Sequence, residues 1–256
     1  MDLMADFLSK MSNYEKEIEL EWLVVYRIKD VPTCQVTSSP KEKIHEIRIH
    51  PWVLYNFDFF LPSVLHELCH CKLAEIIDPL FSRAAFPKKY LLKAKERNEI
   101  FVYLDYATKH IDIWVNELRN QYWPEITLLD HQTLLYSLER MIKENKSSQI
   151  FNFEGIFSIA FSLAEEKKYP QLKKVPSITS LFKFFPDHLQ FFISKISEFL
   201  ESLPPLSYEK EKDLKLLESS TQKFCQLLMF PITPYIEFDE KEGFYLWKIK
   251  EIEEDF

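Results

Sequence analysis

The stretch VLHELCHCKLAE, residues 64–75, carries two histidines four positions apart, with a glutamate directly after the first. On a helix, His70 lies about 40° around the axis from His66, and Glu67 lies about 100° from it. Apolar residues occupy most of the opposite half, so we expect this helix to be largely buried. Two imidazoles and a carboxylate in one sector of a buried helix need a compensating partner, and a divalent cation is the most economical one.

The spacing of the two histidines suits a metal-binding helix. Residues at i and i+4 are neighbours with Cβ atoms about 5–6 Å apart, so two imidazoles can bind one zinc ion at about 2.0–2.1 Å each. Glu67 then faces the open side of the metal, where it can take a proton from a zinc-bound water. The pattern H-E-x-x-H therefore predicts zinc-dependent peptide-bond hydrolysis, with His66 and His70 as ligands and Glu67 as the catalytic base.

A catalytic zinc site needs a third protein ligand besides the two histidines. Glu75 is on the same helix but lies about 180° from the first histidine, so it points away from the metal. A second predicted helix, residues 106–123, offers two acids, Asp112 and Glu117, on opposite flanks of its apolar stripe. These acids lie about 140° apart, so we expect only one of them to face the metal, with His110 as a further alternative.

HELCH followed by a separate helix that carries D-x-x-x-N resembles the zincin metallopeptidases of the gluzincin type. The pattern is particularly similar to two groups of compact intracellular zincin domains: the ImmA/IrrE-like family and the metallopeptidase domains associated with von Willebrand A proteins. The resemblance implies that Asp112 is the third ligand and that Asn116 orients a histidine ligand. The ImmA/IrrE-like and gluzincin patterns favour Glu at the position of Asp112. Glu117 remains the alternative third ligand, although Gln121 stands where the thermolysin-like pattern has Asp.

The resemblance spans roughly residues 19–123 and includes the strand before the motif helix, HEIRIH at residues 45–50. In zincins this strand binds the extended backbone of the substrate, which implies the same role here. Apolar and polar residues alternate along it, so we expect a half-exposed strand that lies at a sheet edge or ends at Pro51.

The composition excludes several classes of protein. With two glycines in 256 residues, the chain cannot build the glycine-rich turn of a P-loop or a Rossmann fold. The net charge of −8 argues against a nucleic-acid partner, because phosphate binding favours basic surfaces. The four cysteines show no paired framework, and no apolar run is long enough to cross a bilayer. We therefore expect a cytoplasmic protein without membrane contact.

The pattern of apolar residues predicts an α+β fold. A small, mostly antiparallel sheet should pack on the motif helix and the third-ligand helix, forming a zincin-like domain over residues 1–126. A mainly α-helical C-terminal region, residues 127–256, should end in a β-hairpin and recognise a substrate or partner, or cover the cleft. The expected elements are helices at 3–17, 61–77, about 90–121, 127–144, 154–167, 186–202 and 207–228, strands at 19–28, 31–39 and 45–52, and a hairpin within 234–250.

Two functions of different kinds agree with this pattern. The first is a metal-dependent endopeptidase that hydrolyses peptide bonds of an intracellular protein substrate. The alternative is a non-catalytic zincin-fold module that regulates or binds another protein and keeps the metal for structure. The two differ in their use of Glu67, which only the endopeptidase needs.

Overall fold

A computed structural model describes residues 3–82, 95–144, 152–241 and 243–250. For residues 95–101 it describes the backbone alone. The α+β class is confirmed, because the structure is 66% helical and has a small three-stranded sheet and a hairpin near the C-terminus. Among the described helices, none is both long and apolar enough to cross a membrane. The start of the helix predicted at about 90–121, residues 90–94, lies outside the described residues.

The order of helices and strands agrees with the sequence prediction, apart from the short helix α2 and several 3-10 turns. In chain order the helices are α1 (Leu3–Glu17), α2 (Pro51–Tyr55), α3 (Phe57–Ile76), α4 (Lys95–Thr108), α5 (Asp112–Tyr122), α6 (Pro124–Lys143), α7 (Phe153–Lys168), α8 (Asp187–Ser202) and α9 (Lys210–Leu227). The strands are β1 (Leu23–Ile28), β2 (Cys34–Ser39), β3 (Ile44–Ile49), β4 (Thr233–Asp239) and β5 (Phe244–Lys250). The 3-10 turns are Pro79–Phe81, Lys109–Ile111, Pro170–Lys174 and Ile178–Phe184.

The chain divides into two compact units, residues 1–122 with 206–256 and residues 123–205. The sequence prediction placed one boundary near residue 126 and assigned residues 127–256 to a single C-terminal region. In the structure that region is split, because α9 and the β4–β5 hairpin belong to the first unit. Periodicity shows that these elements have apolar faces, but it does not show which part of the chain covers them.

The three-stranded sheet has the order β1-β3-β2. β1 and β3 are parallel and β2 and β3 are antiparallel, so the sheet is mixed where mostly antiparallel pairing was expected. Buried and half-exposed residues alternate along β3, and its buried face consists of His45, Ile47 and Ile49. The strand ends before Pro51, which opens α2.

The central position of β3 overturns the prediction that HEIRIH, residues 45–50, binds a substrate backbone. Both edges of β3 are used in pairing, with β1 on one side and β2 on the other, so neither edge remains for a further strand. The alternation of apolar and polar residues shows which face of a strand is buried. In a sheet that is covered on one face, central and edge strands have the same alternation, so the sequence does not distinguish them. The edge strand that packs against α3 is β2.

The motif helix α3 begins at Phe57 rather than at Leu61, so Pro62 lies inside it. Pro62 has no N–H to donate, which removes one helix hydrogen bond. The turns that follow are largely buried, as expected from the sequence, and this burial stabilises the helix despite the loss. The buried residues after the proline are Val64, Leu65, Leu68, Cys69, Cys71, Leu73 and Ala74.

Glu75, near the C-terminal end of α3, ties this helix to the sheet. Its carboxylate accepts hydrogen bonds from the backbone N–H groups of Glu21 and Trp22, at 3.0 and 2.7 Å. Nε2 of His45 on β3 lies 3.0 Å from the same carboxylate, and the Trp22 ring stacks on the His45 ring. Burial alone raises the pKa of Glu75, but these hydrogen bonds outweigh it and lower the pKa below its usual value.

In the second unit, α7 and α8 pack against each other, and two 3-10 turns pack against α6 and α7. His131 of α6 is buried in this unit, with its Nδ1 2.6 Å from Ser162 Oγ and its Nε2 3.3 Å from Glu166 Oε1. Glu166 also accepts a hydrogen bond from the backbone N–H of Ile178 at 2.7 Å. These contacts give this buried histidine a structural role.

We predict that Glu75→Ala lowers the free energy of unfolding by about 2–3 kcal/mol, because several donors lose their acceptor. Urea unfolding followed by circular dichroism at neutral pH measures the change. The pKa of Glu75 is lowered in the folded state, so its contribution is present above the ordinary carboxylate pKa and is lost as pH falls through the folded-state value. The difference in the free energy of unfolding between wild type and variant should therefore become smaller below about pH 4.

The exposed Glu42 provides the matched control for this prediction. Glu42→Ala should change the stability by less than about 0.5 kcal/mol. If Glu75→Ala proved as stable as Glu42→Ala at neutral pH, the carboxylate would not join α3 to the sheet.

Candidate metal centre

Three side chains from two helices bring their ligand atoms together in the first unit. His66 and His70 come from α3, and Asp112 is the first residue of α5. The two Nε2 atoms lie 3.1 Å apart, and Asp112 Oδ1 lies 3.6 Å from Nε2 of His66 and 3.3 Å from Nε2 of His70. Across the described ranges, these three residues form the only group that could hold a metal ion, and we call them the ligand cluster.

The position of Asp112 depends on a break in the helix predicted at residues 106–123. The 3-10 turn Lys109–Ile111 separates α4 from α5, so Asp112 lies in the first turn of a new helix. The dipole of that helix favours a negative charge at this position. The three residues that follow anchor α5 in the core, and they are Ile113, Trp114 and Val115.

Asn116 orients the first histidine of the cluster. It lies one turn after Asp112 on α5, and its Oδ1 is 2.8 Å from Nδ1 of His66. An amide oxygen can only accept, so Nδ1 of His66 carries the proton and donates it in this hydrogen bond. Nε2 of His66 is therefore unprotonated in the neutral ring and presents its lone pair to the cluster.

A backbone carbonyl orients the second histidine. Nδ1 of His70 donates a hydrogen bond to the carbonyl oxygen of Phe81, which ends the turn after α3. The buried Phe81 ring lies beside the Trp114 ring of α5. Residue-type patterns missed this partner, because a backbone acceptor has no side-chain signature. The one local signal is the Asp-Pro pair at residues 78–79, which is typical of a turn.

These two hydrogen bonds make the cluster fit a divalent cation. When both rings are neutral and protonated at Nδ1, two Nε2 lone pairs and a carboxylate oxygen face one another without a proton between them. Such a group of acceptors repels itself unless a cation lies among them. Donors at about 2.0–2.1 Å from a tetrahedral zinc ion lie about 3.3–3.4 Å apart. The three separations in the cluster, 3.1, 3.3 and 3.6 Å, bracket that spacing.

The charges of the cluster shift the pKa values of Asp112 and His66. Burial alone raises the pKa of Asp112, but in the metal-free protein the protonated rings of His66 and His70 donate hydrogen bonds to it, and these bonds and charges hold the pKa far below its usual range. Burial alone lowers the pKa of His66, but Asp112 and then Glu67 outweigh it and raise the pKa. The surroundings therefore favour positive charge at this point, as a metal site requires.

The cluster is open to solvent on one side. The side chains of His66, His70 and Asp112 are 19, 14 and 32% exposed. A metal ion with three protein ligands and access to water has an open coordination position. This arrangement is typical of catalytic zinc sites, whereas structural sites are closed by four protein ligands.

Glu67 directly follows His66 on α3, next to the ligand cluster. Burial raises the pKa of Cys34 on β2 and of Cys71 on α3, and the negative charge of Glu67 raises both further. The charge of Glu67 thus acts both on Cys34 at the start of β2 and on His66 of the ligand cluster. A half-buried carboxylate in this position is suited to proton transfer at the cluster.

The alternative third ligands lie away from the cluster. Glu117 is on the other flank of α5, where its charge adds to the effect of burial in raising the pKa of Tyr208. His110 is buried with its Nε2 2.7 Å from Ser220 Oγ, and burial lowers its pKa to about 4. Of the acids considered, Asp112 is the one that contributes an atom to the cluster.

β2 packs against the motif helix, and its outer edge is the one that does not pair with β3. Where β2 pairs with β3, the N–H of His50 donates to the carbonyl of Thr33 at 2.9 Å, and the pairing continues at every second residue. The residues of β2 that alternate with these hydrogen-bonded positions direct their N–H and C=O groups away from β3. These residues are Cys34, Val36 and Ser38. Within the part of the chain that the structure describes, no strand pairs with this edge.

No protein-family model matches the chain, and no characterised protein or solved structure shows significant similarity to it. These comparisons assign no family. The resemblance to zincins therefore depends on the site residues, namely H-E-x-x-H at residues 66–70 with Asp112 and Asn116.

We predict that Asp112→Ala lowers the affinity for zinc more than about 100-fold, because it removes a ligand atom. Loss of a residue that only supports a ligand typically lowers the affinity about 10–100-fold. Glu117→Ala is the matched control on the same helix and should keep the wild-type affinity, because Glu117 lies outside the cluster. Competition with a chromophoric chelator measures both affinities. Unchanged zinc affinity in the Asp112 variant, or equal losses in the two variants, would show that the cluster is not the metal site.

Proposed function

We propose that this chain is a metallopeptidase, a zinc-dependent endopeptidase that hydrolyses peptide bonds of a protein substrate. The observation that supports this best is the convergence of His66, His70 and Asp112, with separations of 3.1–3.6 Å, beside Glu67. Two imidazoles, a carboxylate and an open position form the ligand set of catalytic zinc in peptidases. A glutamate directly after the first histidine supplies the base for hydrolysis.

The donor set favours zinc over other metals. Imidazole nitrogens suit zinc, whereas magnesium and calcium prefer oxygen ligands throughout. Two histidines and a carboxylate also hold iron(II) in oxygenases, but the position of Glu67 in H-E-x-x-H is the one that hydrolysis uses. When bound, zinc supplies a Lewis acid that polarises the scissile carbonyl and lowers the pKa of a water molecule to about 7.

Glu67 is the proposed general base and general acid. Its carboxylate accepts a proton from the attacking water and later delivers it to the leaving amine, so that one group serves both steps. Asn116 and the Phe81 carbonyl hold the two imidazole rings in place. This preorganisation means that the ligands need little rearrangement during the reaction.

A protein or peptide substrate is proposed to bind along the outer edge of β2 in an extended form. The outward N–H and C=O groups of this edge can pair with any extended backbone, because main-chain hydrogen bonds are independent of side-chain type. The Cys34 end of β2 is the end close to Glu67. A peptide paired with β2 would therefore approach the ligand cluster, in the role that the resemblance implied for β3.

The proposed location is the cytoplasm, with a protein rather than a nucleic acid as substrate or regulatory partner. All four cysteines lie within the described residues as free thiols, which is typical of a reducing compartment. The net charge of −8 disfavours binding to phosphate backbones.

Glu67→Gln should separate catalysis from metal binding. We expect the variant to keep about one zinc ion per chain, because Glu67 is not a ligand, while hydrolysis falls by about 10²–10⁴-fold. Metal analysis measures the zinc, and mass spectrometry measures cleavage of denatured casein and of a mixed peptide library. His66→Ala should lose both properties. Glu117→Gln, the matched control, should keep both.

Several outcomes would contradict this function. A wild-type protein without a bound transition metal, or a Glu67→Gln variant that cleaves at the wild-type rate, would refute it. Iron in place of zinc would overturn the hydrolytic mechanism. Stoichiometric zinc without any cleavage, together with a protein interaction that survives Glu67→Gln, would support the non-catalytic module with a structural metal.

A further inference from the structure

The Phe81 carbonyl that orients His70 belongs to the turn Pro79–Phe81, which packs against the C-terminal part of the first unit. We propose that an ion pair between Lys210 and Asp78 positions this metal ligand, so that the C-terminal segment, residues 206–241 and 243–250, completes the metal centre. The inference rests on the proposed function for the role of the metal. The contacts that carry it involve only residues of this chain.

Asp78 shapes the turn that follows α3. Its side chain is fully buried directly before Pro79. Its Oδ1 accepts a hydrogen bond from the N–H of Leu80 at 3.2 Å and so caps the turn Pro79–Phe81. An Asp side chain that bonds to the backbone two residues on holds a turn in one conformation. The position of this carboxylate therefore sets the path of the chain toward Phe81.

Lys210 provides the opposite charge for the buried carboxylate. It is the first residue of α9, and its Nζ lies 2.8 Å from Oδ2 of Asp78. The same ammonium group lies 5.2 Å from the centre of the Tyr245 ring on β5. Burial raises the pKa of Asp78, and Lys210 opposes that rise. The ammonium group thus stabilises an ionised carboxylate at a buried position.

The turn is packed on two sides. β5 packs against it from the C-terminal segment. The buried Phe81 ring lies 6.1 Å from the Trp114 ring of α5, the helix that carries Asp112. A turn held in this way fixes the Phe81 carbonyl, and the carbonyl in turn fixes the ring orientation and the tautomer of His70.

His66 serves as an internal comparison. Its acceptor is Asn116 on α5, so its hydrogen bond does not involve the turn that Asp78 and Lys210 hold. Removing the charge of Lys210 should therefore change His70 and spare His66. A general loss of stability would affect the two histidines alike.

The test compares the full-length wild type with Lys210→Met, which removes the charge and keeps an unbranched stem. Long-range nitrogen NMR of the metal-free protein reports the tautomer of each histidine at a pH near 9, well above the ordinary histidine pKa of about 6.5. We expect His70 to change from the Nδ1-protonated tautomer to a mixture, while His66 is unchanged. Zinc affinity should fall about 10–100-fold.

Three further variants make this test specific. Lys212→Met is the matched control, because Lys212 is nearby on α9 and pairs at the surface with Glu209. Lys210→Arg keeps the charge and should restore both the tautomer and the zinc affinity. The double variant Lys210→Met with Asp78→Asn leaves no unpaired buried charge, so it can be measured in place of Lys210→Met if that single variant does not fold. It should show the same change at His70.

The positioning role is overturned if His70 keeps its wild-type tautomer in the folded Lys210→Met protein or in the double variant. It is also overturned if Lys212→Met changes His70 equally. The positioning role and the metallopeptidase proposal can fail separately. If the wild type binds no zinc but the tautomer of His70 still changes in Lys210→Met, the metallopeptidase proposal fails and the positioning role stands.

Discussion

Two imidazole rings held through their Nδ1 atoms are the constraint on which the rest of this site depends. A side-chain amide holds His66 and a backbone carbonyl holds His70, so both rings direct unprotonated Nε2 atoms to one point. These atoms lie 3.1 Å apart beside the carboxylate of Asp112, and a divalent cation would relieve the repulsion among them. Because a metal site tolerates displacements of only about 0.5 Å, every element behind these groups must be rigid.

Three parts of the first unit provide this rigidity. α5 presents the carboxylate and the amide one turn apart on the same helix, with a buried apolar segment behind them. Glu75 fastens the far end of the motif helix to the sheet through backbone donors and His45. The C-terminal segment supports the turn that ends at Phe81. The two helices that carry the ligand cluster are therefore held by the sheet, by the core of the first unit and by the C-terminal segment.

The local parts of this arrangement could be predicted from the sequence, and the tertiary parts could not. Helical periodicity located α3, and the spacing within it placed His66 and His70 side by side, because both depend on residues a few positions apart. A helical wheel placed Asp112 and Glu117 on opposite flanks of one stripe, but it carries no information about which flank faces α3. The central position of β3, the Phe81 carbonyl and the return of α9 to the first unit depend on pairing between distant segments. No local pattern of residue types records such pairing.

The central claim is that two histidines and one carboxylate of this chain bind zinc, and X-ray absorption at the zinc edge of the metal-loaded protein tests it most directly. We expect an inner shell of nitrogen and oxygen atoms at about 2.0–2.1 Å, with the outer-shell scattering of two imidazole rings. In His70→Ala, the imidazole contribution should fall to one ring. Zinc bound through sulfur at about 2.3 Å, or by oxygen atoms without imidazole, would contradict the claim.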